Sequence, residues 1–433
     1  MSDKIFIAQE STSQEIKSAV NSIYNVLNDN KPKRYGYRVN LKDSNPATRV
    51  EYLFDAVGMT PVTHNNDGTL NFGAAGAGTA WNELWFVANN YACMLNSAGA
   101  EDYKLSPNNY GYKLDGTSVS DYNSLDYNGN VMSAIPLCWV KRYTEGGYQY
   151  CIICETQYDE SYEALAHTDA NGSIKQYAYM ACFEGYNHEG KLRSIAGNIP
   201  STEGDGNSNT AANQYSWAAA VGTDFTVTPW SLWTLISDLL VLMAKNTNSQ
   251  AIYGQGYCTG GSSRANLRAS GELYNKGQFW GDTSVGSQFM KVFHIENFYG
   301  HVWKRAAGLF AKNYTYYAQM NQSNGAYSTT LDVTKCDAIG YAGVYGTPSA
   351  TSGWIKQFNT GRYGCLPYVT PNTLNGGDST YECDYHWWGD ANEHLALLGG
   401  SCRNGSLVGC RSVDLPYTAG EVDWHIGCSL AKV

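Results

Sequence analysis

The residues in this chain that could do chemistry are twelve cysteines, eight histidines and 39 acidic side chains among 433 residues. Their spacing matches few reactive patterns. Cys151-x-x-Cys154 lies in YQYCIICETQY, which alternates like a strand. An offset of three in a strand sends two side chains to opposite faces, which suits neither a redox pair nor a shared metal. No second CxxC follows at zinc spacing. His294 and His301 stand seven apart, a spacing that fits no common ligand pair, so both read as structural. Asp205, Asn207 and Asn209 imitate the start of a calcium loop, but the Gly and Glu that such a loop needs further on are missing. The GAAGAG run from Gly73 to Gly78 has no clear strand before it and no helix after it, so it reads as a loop and not a phosphate cradle. The nucleophile elbow, the P-loop, HExxH and the Rossmann glycines do not occur. The expectation is a chain without catalytic residues, metal or cofactor.

Residue types suited to recognition are concentrated near the end. Tyr385-His386-Trp387-Trp388 packs four rings, counting the imidazole, into four residues. Alternate side chains of a strand face opposite ways, so at least two of these rings must be exposed or lie beneath a loop. The segment from Pro416 to His425 adds Tyr417, Trp424 and His425, with Glu421 and Asp423 between them. Rigid aromatics among short polar groups are typical of recognition surfaces. For Trp387 and Trp424 the bland alternative, core filling, stands equally.

The elements that must position these residues can be read in outline. Residues 12–30 form a helix with a Thr12/Glu15 capping box and a stripe of Ile16, Val20, Ile23 and Leu27, ended by Lys31-Pro32. It either packs on its own domain or pairs with copies of itself. Residues 46–130, rich in Gly, Asn, Asp and Tyr, read as a small β-rich domain. AIPLCWVKRY and YQYCIICETQY read as strands around a turn at Glu145-Gly146-Gly147. Thr228-Pro229 opens a helix whose apolar face is Trp233, Ile236, Leu240 and Met243. MKVFHIENF reads as a strand and VWKRAAGLF as a short helical piece.

Composition bounds the function. The apolar share is 43%, the charged share 16% and the net charge -10. Such an acidic chain is repelled by phosphate backbones, so nucleic acid is an unsuitable partner. The most apolar stretch, Trp230–Ala244, carries Ser231, Thr234, Ser237 and Asp238 and is too short and polar to insert in a membrane. No secretory signal is apparent at the N-terminus, so synthesis in a cytoplasm and buried free thiols are expected.

Three segments together resemble the formylglycine-generating-enzyme branch of the C-type lectin fold. VTPWSLWTLISDLLVLMAKN (227–246) is similar to that family's long early helix. Asn297–Lys304 is similar to its G-N-V-W-E-W signature, with Gly300, Val302 and Trp303 matching and His301 and Lys304 departing. The C-terminus resembles the closing pattern G-G-S-W-x-N…C-R-S…N-I-G-F-R: Gly399, Gly400, Ser401, Asn404, Cys410, Arg411, Ser412, Ile426 and Gly427 match, while Cys402 and Cys428-Ser429 depart. The variable proteins of diversity-generating retroelements, phage tropism determinants among them, share this closing pattern.

The resemblance covers about residues 131–433. It implies an α+β chain with a C-type lectin-like, ligand-binding C-terminal domain at 131–433. Before it come the N-terminal helix and linker (1–45), a candidate oligomerisation element, and the small β-rich domain (46–130). It implies a non-enzymatic virion protein, on a phage tail or another exposed position, that attaches to a bacterial cell-surface receptor, protein or glycan. Arg403, Asn404, Leu407, Pro416, Tyr417, Glu421, Asp423, Trp424 and His425 stand at the diversified positions, and Tyr385, His386 and Trp387 join them as ligand-binding candidates. Other virion proteins and copies of the chain itself, a trimer by preference, are the implied partners. The alternatives are an oxidoreductase like the family's enzymes, which use a cysteine pair with copper or a histidine cluster with iron, and a structural virion protein without a receptor.

The helical stripe yields a first prediction. Light scattering on the full chain should give an oligomeric mass, and deleting residues 1–31 should lower it; a monomeric full-length chain would refute the expectation.

Overall fold

The computed structural model describes residues 31–73, 80–313, 315–338, 352–367 and 374–433. The expected helix at 12–30 and most of the GAAGAG run lie outside these residues. The described chain is predominantly β, with one long helix, Trp230–Ala244, and shorter ones at Ala211–Ala219 and Ser249–Tyr253 among its helical segments.

Three sheets surround the long helix. The first is antiparallel and places Val50–Phe54, Tyr35–Asn40, Tyr148–Cys154 and Trp139–Glu145 side by side. Its alternation is clear in YQYCIIC: Cys151 and Ile153 enter the main core, while Ile152 and Cys154 pack in a separate cluster with Tyr162. The two thiols of the CxxC therefore lie on opposite faces. AIPLCWVKRY is not one strand. Gly129–Pro136 belongs to the second sheet and Trp139–Glu145 to the first, and Leu137-Cys138 carries the chain between them.

The second sheet has seven strands in the order Phe225–Val227, Leu430–Lys432, Tyr177–Ala181, Gly129–Pro136, Tyr91–Asn96, Glu101–Ser106, Asn109–Lys113. Apart from a short hairpin of Thr63–His64 with Leu70–Asn71, the strands of the 46–130 segment join sheets with the rest of the chain: Cys93 pairs with Met132 and Tyr91 with Ala134. The last strand of the chain is also inside this sheet, between residues 177–181 and 225–227.

The third sheet centres on Trp303–Lys312, flanked by Thr315–Ala318 on one side and by His394–Leu398, Val413–Asp414, Tyr385–Trp387 and Gly353–Trp354 in turn on the other. Ile426–Gly427 pairs in parallel with its first residues. Here VWKRAAGLF is a buried strand and not a helix. Lys, Arg and Ala favour helix locally, but pairing on both edges overrides that weak preference. Gly308 (φ +81) sits within the register shift between Arg305 and Phe310, and a Cβ there would meet Gln319 O at 2.2 Å. MKVFHIENF is a hairpin of Lys291–Val292 and Ile295–Glu296, because Phe293 and His294 turn the chain at φ 48 and 66.

The long helix also departs from expectation. Every residue from Trp230 to Ala244 is buried, not one face alone. Thr228 does not cap it. Its hydroxyl donates to Ser429 O at 3.3 Å, and Pro229 occupies the cap position. A helix surrounded by sheets can bury polar residues only if each finds partners. Ser237 Oγ donates to Trp233 O and Cys410 O. Asp238 receives Arg142 Nε at 2.6 Å, Arg411 Nη2 at 2.9 Å and the Tyr37 hydroxyl at 3.0 Å. Arg411 also meets Glu382 at 3.1 Å, as does Arg49. No helix of the described residues is long and apolar enough to cross a membrane.

Asp238→Ala should therefore destabilise the fold by about 3–5 kcal/mol, since it leaves the buried Arg142 guanidinium without a carboxylate and takes one of two from Arg411. Removing the exposed Arg38–Glu51 pair should cost less than about 1 kcal/mol. Urea unfolding of both variants checks the contrast, and equal costs would contradict it.

Candidate functional site

The aromatic run at residues 385–388 becomes an edge-region strand of the third sheet, and the period of two divides it. His386 and Trp388 are buried on the core side, where His386 Nε2 lies 3.2 Å from the Tyr316 hydroxyl. Tyr385 and Trp387 face the other way and are partly exposed. Register extends this division across four strands. Trp387 pairs with Asp414, Asp414 with Leu397, and Leu397 with Arg305. The adjacent row, His386, Val413, Leu398 and Lys304, points to the opposite side. The first row, with Trp303 two residues before Arg305, forms the floor of the candidate site. Trp303, Leu397 and Ile426 are its buried part, and Trp387 and Tyr417 pack on them.

The rings form a connected row. Centroids are 5.5 Å apart for Trp354–Tyr385, 4.5 Å for Tyr385–Trp387 and 5.2 Å for Trp387–Trp303.

Two loops rise beside the floor. The first follows Gly399 and Gly400, both at positive φ (85 and 86). A Cβ on Gly399 would press on Trp233, and one on Gly400 on Val408. Beyond them Arg403 is exposed. Asn404 Oδ1 accepts the Ser401 amide at 2.9 Å and its hydroxyl at 2.7 Å, so its side chain is engaged in the turn. Leu407 is partly buried, and its carbonyl accepts the Ser412 hydroxyl.

The second loop, 416–425, is pinned along its backbone. Tyr417 O accepts Leu395 N at 3.1 Å, Ala419 O accepts Ala211 N at 3.0 Å, and His425 O accepts Trp303 N at 2.8 Å. The buried Arg305 guanidinium donates to Glu421 O. Pro416 and Glu421 are exposed on it.

Burial shapes the electrostatics. Asp414 is 5% exposed, and its Oδ1 has no hydrogen-bond partner among the described residues. Burial pushes its carboxyl up to about 7, with Arg403 pulling the other way. Burial also takes His425 down to about 4, against the opposing pull of Asp423, whose Oδ1 is 3.3 Å from Nδ1. The Tyr417 hydroxyl is raised by burial and then by Asp414 and Asp423.

The structure thus brings Tyr385, Trp387, Arg403, Tyr417 and Asp423 around one floor. It turns His386 away into the core and buries His425, so neither imidazole is open to a ligand. Trp424 stacks on His425 (5.1 Å, 27°) but packs toward the neighbouring cluster of Val302 and Cys402. Asp414 and Trp354 went unnoticed in the sequence. An Asp within the apolar run VDL, one strand from the aromatic run, was the available signal.

No family model matches the chain, and no curated protein matches it. Two solved structures to which it is similar are the Major Tropism Determinant P3c variant (11% identity, TM-score 0.28) and U1 variant (10%, TM-score 0.27). Each comparison covers 79% of this chain and 71% of the other. At TM-scores this low the likeness does not establish a shared fold.

The residues that could have carried other chemistry are occupied otherwise. His301 and Lys304, the departures from the G-N-V-W-E-W signature, both bind the buried Glu184. The Arg268 amide donates to His301 Nε2 at 3.1 Å, which leaves Nδ1 to donate to Glu184. Cys402 beside them is pushed up to about 12 by burial, far from a reactive thiolate. All the cysteines are free, and all but Cys336 are buried. Asp205 Oδ1 accepts Asn207 N and Asn209 Nδ2, both at 2.8 Å, within its own turn. Among the described residues no group of three or more His, Cys, Asp and Glu is placed to hold a metal. Clefts around Arg142 and Arg362, around Tyr127 and Arg193, and around Phe72 and Trp280 are lined by none of the expected site residues.

Asp414 predicts a pH signature. Its folded pKa lies above the unfolded carboxylate value, so the folded state holds its proton more tightly. The stability cost of ionising it is absent below the unfolded carboxylate value near 4, grows as pH rises towards the folded value of about 7 and levels off above it. Asp414→Asn removes that cost. Its melting temperature relative to wild type should rise between about pH 4 and pH 7 and stay level above that; a constant difference would show that Asp414 titrates normally.

Proposed function

We propose that this chain is a receptor-binding adhesin of a phage virion, with a C-type lectin-like C-terminal region, and that it attaches to a bacterial surface through the Tyr385/Trp387/Asp414 face. The observation that carries the reading is this sheet face. Its floor is continuous with the buried sheet, yet the row of rings above it stays partly exposed. Exposed and half-buried aromatics set beside charged loop residues are what recognition surfaces use. The resemblance of the closing segment to the variable proteins of diversity-generating retroelements points to the same loops.

The construction suits such a role. The 416–425 loop is held mainly by its backbone carbonyls, with the Glu421 carboxylate accepting from Thr418 N and Asp423 beside His425 as additional ties, so most of the loop's anchoring survives changes at these side chains. The same holds for Arg403, which follows the two glycines whose conformation its own side chain does not set. The proposal extends to virion partners and to assembly as a homo-oligomer through residues 1–45.

The test uses the charged rim. Replacing Arg403, Glu421 and Asp423 with Ala should leave the fold intact, since surface changes cost less than about 0.5 kcal/mol each. The folded triple variant should lose adherence to bacteria that the wild-type protein binds. Undiminished adherence would rule this face out.

A further inference from the structure

The Tyr385/Trp387/Asp414 face, if it is the receptor-binding face proposed above, poses a narrower question about the chemistry of its ligand. Three features sit together. The first is the row Trp354, Tyr385, Trp387, partly exposed and connected ring to ring at 5.5 and 4.5 Å. The second is Asp414, in register beside Trp387 and about nine-tenths buried, with Oδ1 lacking a donor among the described residues. The third is Arg403, an exposed guanidinium near enough to act on Asp414, Tyr417 and His425.

A buried acceptor without a donor is costly unless something supplies one. The ligand must therefore bring a flat apolar surface for the rings, a donor for Asp414 and an acceptor for the Arg403 side chain beside it. We infer that this ligand is a carbohydrate: one pyranose face stacks its C–H bonds on Trp387 and Tyr385 while its hydroxyls donate to Asp414 and accept from Arg403. Hydroxyls both donate and accept, and C–H groups carry the partial positive charge that the negative faces of aromatic rings attract.

Other ligand chemistries use only part of the site. A quaternary ammonium would satisfy the rings but would be repelled by Arg403 and has no hydrogen to give Asp414. An acidic peptide would satisfy Arg403 but would meet Asp414, Glu421 and Asp423. No metal is needed, because side chains alone supply the donor and acceptor.

The test is titration calorimetry on the full chain. The probes are the methyl glycosides of glucose, galactose, mannose, rhamnose and N-acetylglucosamine, with choline chloride as the cation. At least one glycoside should bind, unaffected by EDTA, and Asp414→Asn should weaken it about tenfold or more. That variant removes a buried charge and is expected to fold, so lost binding cannot be put down to unfolding. Tyr385→Ala should weaken the same glycoside. Binding of choline alone, binding of no glycoside, or glycoside binding indifferent to Asp414→Asn would each overturn the inference. Adherence separates this claim from the one beneath it. Bacteria treated with periodate should no longer bind the protein. If protease treatment abolishes adherence and periodate does not, the receptor is a protein: the carbohydrate inference falls and the receptor face stands. If the rim variant of Arg403, Glu421 and Asp423 still adheres, the receptor face itself falls.

Discussion

The fold depends on a charge buried in the middle of its longest helix. Asp238 is enclosed on all sides, and it is kept ionised against the cost of burial by Arg142 and Arg411. Each partner comes from a different part of the chain: Tyr37 and Arg142 from the first sheet, Arg411 from the closing segment, with Glu382 and Arg49 completing the network. A buried ion pair contributes little net stability, but breaking one is expensive. The network thus acts as a condition on assembly. Sheet, helix and closing segment must all be in place before all of these charges are satisfied.

A second convergence lies one turn of the helix away, at Trp233. Phe298 stacks on it at 4.0 Å, Gly399 approaches its ring, and its Nε1 donates to Cys410 O at 2.8 Å. The three segments that resemble the formylglycine-generating-enzyme family therefore meet at one indole. In this chain Gly399 lies against that indole and Gly400 against Val408, and Arg411 then reaches Asp238. The backbone is held closely before and after the loops, and the last strand is locked inside the second sheet.

The face proposed for recognition is the outer side of the sheet whose inner side packs on this core. Trp387 and His386 are neighbours in sequence with opposite roles, and parity alone separates them. The same parity places Asp414 beside Trp387 without a charged group in direct contact. That arrangement disfavours the folded protein near neutral pH, and a residue that lowers stability in this way is expected where function requires it.

Much of this was legible in the sequence. The β-rich character, the separation of Cys151 from Cys154, the glycine pair and the alternation of the aromatic run all follow from local geometry and period, which neighbours in sequence set by themselves. The 303–312 strand, the all-round burial of the long helix and the sheet shared across residue 130 were not legible. Each depends on pairing with segments tens to hundreds of residues away, and that pairing outweighs propensities worth less than about 1 kcal/mol per residue. Asp414 is the clearest case. The sequence offered only an acidic residue between two apolar ones in VDL, and its place in the strand Val413–Asp414 came from the tertiary structure. Only the tertiary structure decided that its side of that strand was the aromatic floor, because strand register, and with it the choice of neighbours, is fixed between chain segments and not within them.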